Sequence, residues 1–212
     1  MRTRLVFLAL VLFAGGCQVV PLEPAPAPTK DGGVAGGSAV SPTDALAKLK
    51  VAKAGSMRGY DREKFPHWRR TGENCDVRDA VLKRDGRKVK YSGCNVVAGT
   101  WKSIYDGRTL DSPTKVDIDH VVPLANAWRS GASAWSDERR EDFANDLDHP
   151  QLVAVSQTSN RGKGDQDPSQ WKPTVRSEWC EYASDWIAVK GYWKLTVTSA
   201  EKKSLGQMLE EC

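Results

Sequence analysis

The amino-acid sequence predicts an α+β domain braced by two disulfides. Three observations carry this: short β-forming runs bounded by turn signals, stretches with apolar residues three or four apart, and four cysteines within residues 41–212. Because the two periods alternate along one stretch, helices and small antiparallel strands are expected to share a core.

Arg2 and Arg4 precede the apolar run Leu5–Ala14, too short for a bilayer span but suited to a signal peptide over residues 1–16. Ala14-Gly15-Gly16-Cys17 resembles a bacterial lipobox, which implies a mature chain lipidated at Cys17; an ordinary secretory signal with an incidental cysteine is the alternative. From Gln18 to Val40 the chain is rich in Pro, Gly and Ala and reads as a disordered tether. An exported domain is therefore expected over residues 41–212, anchored to a membrane only through lipid. Removing Cys17 from five cysteines leaves four, and of their three possible connectivities Cys75 with Cys94 and Cys180 with Cys212 is favoured, because each pair would close a short local loop. No CxxC pair occurs, so a structural zinc site lacks its usual spacing. The chain has 31 basic and 27 acidic side chains; losing Arg2 and Arg4 leaves 29 against 27, or +2. So mild an excess says little about nucleic acid, and local clusters have to decide.

Ser41-Pro42-Thr43-Asp44 supplies a cap, a proline at the first helical position and an early acid, predicting about three turns that bury Ala45, Leu46 and Leu49. A second helix is predicted over Asp76 to Arg84, ended by Asp85-Gly86. Val89 to Leu110 is rich in β-formers, with Asp106-Gly107 as a two-residue hairpin signal between Trp101–Tyr105 and Arg108–Leu110. Lys115 to Val122 reads as a strand ended by Pro123. Leu124–Arg129 and Ser136–Asp146 read as helices, Gln151–Val155 as a strand, and Ser159 as the cap of a helix starting at Asn160. Trp179, Tyr182, Trp186, Val189 and Tyr192 form a stripe expected in the core, and Thr198 with Glu201 makes a capping box for a last helix.

Chemistry concentrates in two places. Asp117-Ile118-Asp119-His120 places two acids on one strand face with an imidazole where the chain turns away. Ser159-Asn160-Arg161-Gly162-Lys163-Gly164-Asp165 supplies an amide oxygen, a hard ligand suited to Mg²⁺, and two cations able to meet phosphate. Alone, each cluster has a plainer reading: a core histidine in the first, a solvated basic loop in the second.

Together, Asp-x-Asp-His-x-x-Pro, an apolar strand and Asn-Arg-x-Lys resemble the HNH nuclease superfamily. Trp128-Arg129-Ser130-Gly131-Ala132, Phe143-Ala144-Asn145-Asp146-Leu147, Pro168 and Trp171 extend the resemblance to secreted HNH proteins related to DUF1524 nuclease domains, with the motif core at 115–173. The resemblance implies a ββα-metal core in which Asp119 and Asn160 bind Mg²⁺ or Mn²⁺, His120 is the general base, and Asp117 supports the site. Arg161 and Lys163 would bind phosphate. The middle Asn of the HNH name is replaced within Asp148-His149-Pro150-Gln151, leaving His149, Gln151 or Asn145 to hold the loop that carries the base. The expected protein is a monomeric endonuclease of low sequence specificity, cutting DNA rather than RNA. The alternatives are a non-catalytic nucleic-acid-binding lipoprotein and a zinc enzyme; the second would need more nitrogen or sulfur ligands than His67, His120 and His149 supply.

Overall fold

The computed structural model describes residues 40–212. The expected leader, Cys17 and all but the last residue of the tether lie outside the described residues. In chain order the elements are α1 (Pro42–Lys48), α2 (Val77–Asp85), β1 (Arg87–Ser92), β2 (Asn95–Lys102), β3 (Thr109–Leu110), β4 (Val116–His120), α3 (Leu124–Arg129), α4 (Asp137–Ala144), β5 (Leu152–Ser156), α5 (Gln157–Lys163), α6 (Trp179–Trp193) and α7 (Ser199–Leu209). Strands β1, β2 and β3 form one small antiparallel sheet, and β4 pairs with β5 in a separate antiparallel ribbon. The α+β expectation therefore matches the architecture.

The ribbon joins two apolar clusters, and strand alternation explains how. Leu152 and Ala154 face a cluster with Ile118, Val81, Leu82 and Trp101, while Val155 faces the larger cluster built on Phe65, Trp128, Phe143 and Trp186. Fully burying side chains of this size contributes about 1.5–3 kcal/mol each, so both ribbon faces are firmly held.

Local signals fix most helix starts. Ser41 accepts the Asp44 N–H, Ser136 accepts the Arg139 N–H, and Asp76 with Asp79 and Thr198 with Glu201 complete capping boxes. Each cap satisfies a donor that the helix itself leaves unpaired. Cys75–Cys94 ties the start of α2 to the β1–β2 turn, with 5.7 Å between Cα atoms. Cys180–Cys212 ties the first turn of α6 to the C-terminus, at 5.1 Å.

Four local expectations are corrected. Helix α1 has only 7 residues, because Leu49 takes an extended backbone and the chain goes on to bridge Val51 with Val197. Asp106-Gly107 does not form a two-residue turn: the last β2–β3 pair is Lys102 with Thr109, leaving a wider loop. Gly107 has φ 71°, which suits glycine, but Tyr105 is drawn into the core and the Asp106 carboxylate accepts from the Ser156 and Ser159 hydroxyls. Helix α5 starts one turn earlier than predicted, since Ser156 accepts the Ser159 N–H while the Ser159 hydroxyl is taken by Asp106. On α6, Tyr192 is exposed and stacks on His149, and Trp193 fills the core position instead.

Candidate active site

Strand β4 ends in the acidic pair and the histidine, and its register sets Asp117 opposite Val155, Asp119 opposite Val153 and His120 opposite Leu152. Helix α5 follows β5 without a loop, so it is laid back beside β4. Asn160 stands one turn into α5, where its Nδ2 donates to Asp117 Oδ2 at 3.1 Å. That bond fixes the amide with its nitrogen on Asp117 and its oxygen left for another partner. Asp117 thus accepts from the neighbouring amide.

Lys163, one turn further along α5, has no solvent exposure. Its Nζ lies 2.8 Å from Asp119 Oδ2 and donates to the His120 carbonyl oxygen at 2.9 Å. Tyr105 donates its hydroxyl to the same Oδ2 at 2.7 Å. Burial pushes the Asp119 carboxyl up and the Lys163 ammonium down, and their mutual attraction opposes both shifts. The expectation that Lys163 meets phosphate is corrected here: the helix face that brings Asn160 to Asp117 also turns Lys163 inward onto Asp119. Arg161, on the outer face of α5, is exposed.

His120 is held by a carbonyl. Its Nε2 lies 2.9 Å from the Ala144 oxygen, which can only accept, so Nε2 carries the proton and Nδ1 presents a lone pair. Among the described residues Nδ1 has no hydrogen-bond partner. The rings of His67 and Trp68 pack against the imidazole, with centroids 6.1 and 6.0 Å away. Burial above all, helped by the positive charges of Arg62 and Lys163, lowers its pKa to about 3, so the ring is neutral at physiological pH.

Of the three candidates for the loop-holding role, Gln151 makes the contact. Fully buried, its side chain accepts the Val122 N–H at 3.1 Å and donates to the Val122 carbonyl at 2.9 Å, two residues beyond His120. Asn145 instead binds the Pro66 carbonyl and the Arg69 N–H, and His149 pairs with Asp146.

These parts converge on a cleft of about 260 Å³ lined by Asp119, His120 and Asn160, with Tyr60 and Arg62 on another part of the wall and Asp165 beside them. Asp165 is already paired, at 2.6 Å from Arg129. Among the described residues no group of three or more His, Cys, Asp or Glu could hold a metal ion. The donor set instead fits a cation that keeps most of its water: one carboxylate oxygen of Asp119 left by Lys163 and Tyr105, and the amide oxygen of Asn160. Tyr60, Arg62 and Tyr105 had no local signal in the sequence. Tyr105 lies 14 residues from Asp119, with β3 and the 3-10 turn Pro113–Lys115 between them, and only the folded chain brings the two together.

An acid, a neutral imidazole and an oriented amide thus meet at the end of an antiparallel ribbon. Residues 75–208 match the C-terminal domain of GmrSD restriction endonucleases, which is more than half of the chain. The protein belongs to that family. It is also similar to an uncharacterized secreted protein of Arthroderma benhamiae, at 48% identity over 210 residues that cover 99% of this chain and 100% of the relative. No solved structure matches it.

Proposed function

We propose that the protein is an exported, metal-dependent endonuclease of the HNH, ββα-metal kind that hydrolyses phosphodiester bonds, in DNA rather than RNA. The observation that carries the reading is the meeting of Asp119, His120 and Asn160 in one cleft, with the His120 Nδ1 lone pair unengaged among the described residues. Membership of a restriction-endonuclease family supports nucleic acid as the substrate. The leader-like start and the secreted relative support export; the reading also takes Cys17 as the lipid-attachment site, from its lipobox-like setting, and a monomer as the working state.

In this reading His120 takes the proton from the water that attacks phosphorus. The Ala144 carbonyl sets the ring's tautomer and angle, and Gln151 fixes the backbone just beyond it, so the base meets the water in one orientation. Asp119 and Asn160 would hold Mg²⁺ or Mn²⁺, which when bound supplies positive charge to the phosphate and the departing oxygen. Lys163 and Tyr105 hold one Asp119 oxygen, which leaves the other for the cation. Asp117 keeps the Asn160 amide turned the right way. Arg161 remains a candidate contact for the phosphate backbone beyond the cleft.

Purified protein should nick plasmid DNA when Mg²⁺ or Mn²⁺ is added and stop when the ion is chelated. His120→Ala should lose at least about 100-fold in rate, the range expected for removing a general base, while still unfolding in one cooperative transition, since the loss of one buried ring lowers the thermal midpoint without unfolding the domain. Full activity in that variant, in a preparation free of other nucleases, refutes the assignment.

A further inference from the structure

We propose that Arg62 is the cation that grips the scissile phosphate, from a segment of chain that precedes the family-matched residues 75–208. The inference rests on the nuclease reading and adds a residue to it.

The charges in the cleft lead there. Asp119 is paired with Lys163, Asp165 is paired with Arg129, and Asp117 accepts from Asn160. Lys163 is spent on the interior, and Arg161 is not among the residues that line the cleft. Arg62 does line it, together with Asp119, His120 and Asn160. Unlike Arg69, Arg129 and Arg140, it pairs with no carboxylate among the described residues. An anion entering the cleft therefore meets one uncompensated guanidinium, a planar fork whose geometry matches phosphate.

The backbone beneath Arg62 is firmly placed. Asp61 caps the 3-10 turn Arg62–Lys64 by accepting the Glu63 N–H at 3.0 Å. Phe65 follows with no exposure, and the Lys64 carbonyl accepts from Arg140 at 3.0 Å. On the other side Tyr60 packs edge-on against Trp128, with centroids 5.9 Å apart. A long side chain on a fixed turn can follow the phosphate as charge builds on it, which suits stabilisation of a transition state.

The test uses Arg62→Ala and Arg62→Lys in the full chain, on whichever of plasmid DNA and single-stranded RNA the wild type cuts. Arg62→Ala should lower kcat/KM by about 10²-fold, as removal of one transition-state donor does, and Arg62→Lys should restore part of it. Lys203→Ala, on the exposed side of α7, serves as the control with unchanged activity. Binding read in a His120→Ala background gives a second, non-catalytic measure: Arg62→Ala should lower the slope of log affinity against log salt by about 0.7–0.9, one phosphate contact. Loss of rate together with a shallower slope and an unchanged thermal midpoint supports the proposal. Equal rates and slopes, with an active wild type, overturn the role of Arg62 and leave the nuclease reading standing. A wild type that neither cuts nor binds either polymer overturns both.

Discussion

Lys163 and Lys190 both lie wholly inside the protein, and their partners give them different uses. Lys190 is 2.6 Å from Glu201, donates to the Ser130 hydroxyl and the Thr196 carbonyl, and so locks α6 to α7. Lys163 makes the equivalent pair with Asp119 at the edge of the cleft. In each case desolvating two charges costs several kcal/mol, and a close pair with further hydrogen bonds is needed to offset that. The half-buried carboxyl of Asp185 has no such close partner among the described residues, only the more distant charge of Arg84. Asp185 on α6 is pushed up to about 7 by burial, with the Glu181 carboxylate adding to the effect. A carboxyl that holds its proton more tightly in the folded state favours folding below its unfolded pKa of about 4, and that contribution is lost as pH rises through 7. Asp185→Asn is therefore expected to leave stability nearly unchanged at pH 4, near the unfolded pKa, and to raise it by about 2 kcal/mol or more at pH 8. Urea unfolding at the two pH values checks this, and equal gains at both would contradict it.

At the scale of the element, the Cys75–Cys94 bridge matters because β1 is an edge strand with five of its six residues exposed. Little apolar surface holds it, so its attachment depends on the bridge and on its pairing with β2 through the two-residue turn at Gly93-Cys94, where Gly93 has φ 62°. Closing a loop over a sequence separation of 19 removes unfolded-state entropy worth about 3 kcal/mol. Cys75→Ser should cost about that much in chemical denaturation, while a loss below about 1 kcal/mol would place the hold elsewhere. The helix α5 shows how one turn of register sets a site. Capping by Ser156 rather than Ser159 places Asn160 and Lys163 on the same inward face, and a start at Asn160 would have exposed that amide at the helix end.

For the whole molecule, the segment before Cys75 belongs to the same folded unit as the family-matched part. Phe65 meets Trp128 and Phe143 edge-on at 6.4 and 6.2 Å, Leu46 and Leu49 are buried in the same cluster, and the Asn145 side chain ties down Pro66 and Arg69. Removing residues up to 74 would strip three buried apolar side chains worth about 5–9 kcal/mol together, against a total stability of about 5–15 kcal/mol for a domain of this kind. A chain beginning at Cys75 is accordingly expected to show no cooperative thermal transition. A sharp melt at the full-length midpoint would show that the core closes without that segment.

By itself the sequence determined the class of fold, most helix starts, and the stretches from which Asp117, Asp119, His120 and Asn160 come, and it favoured the two cysteine pairs that the fold contains. All of these are written locally, in caps, in alternation and in spacings of a few residues. Tertiary structure alone decided what the neighbours of those residues are: that Lys163 turns inward to Asp119, that Tyr105 shares the same oxygen, that Gln151 takes hold of Val122, and that Arg62 faces the cleft. The reason is range. A hydrogen bond between groups tens of residues apart leaves no periodic trace in the chain, and whether a cation faces water or a carboxylate depends on which helix face the packing of the core turns inward.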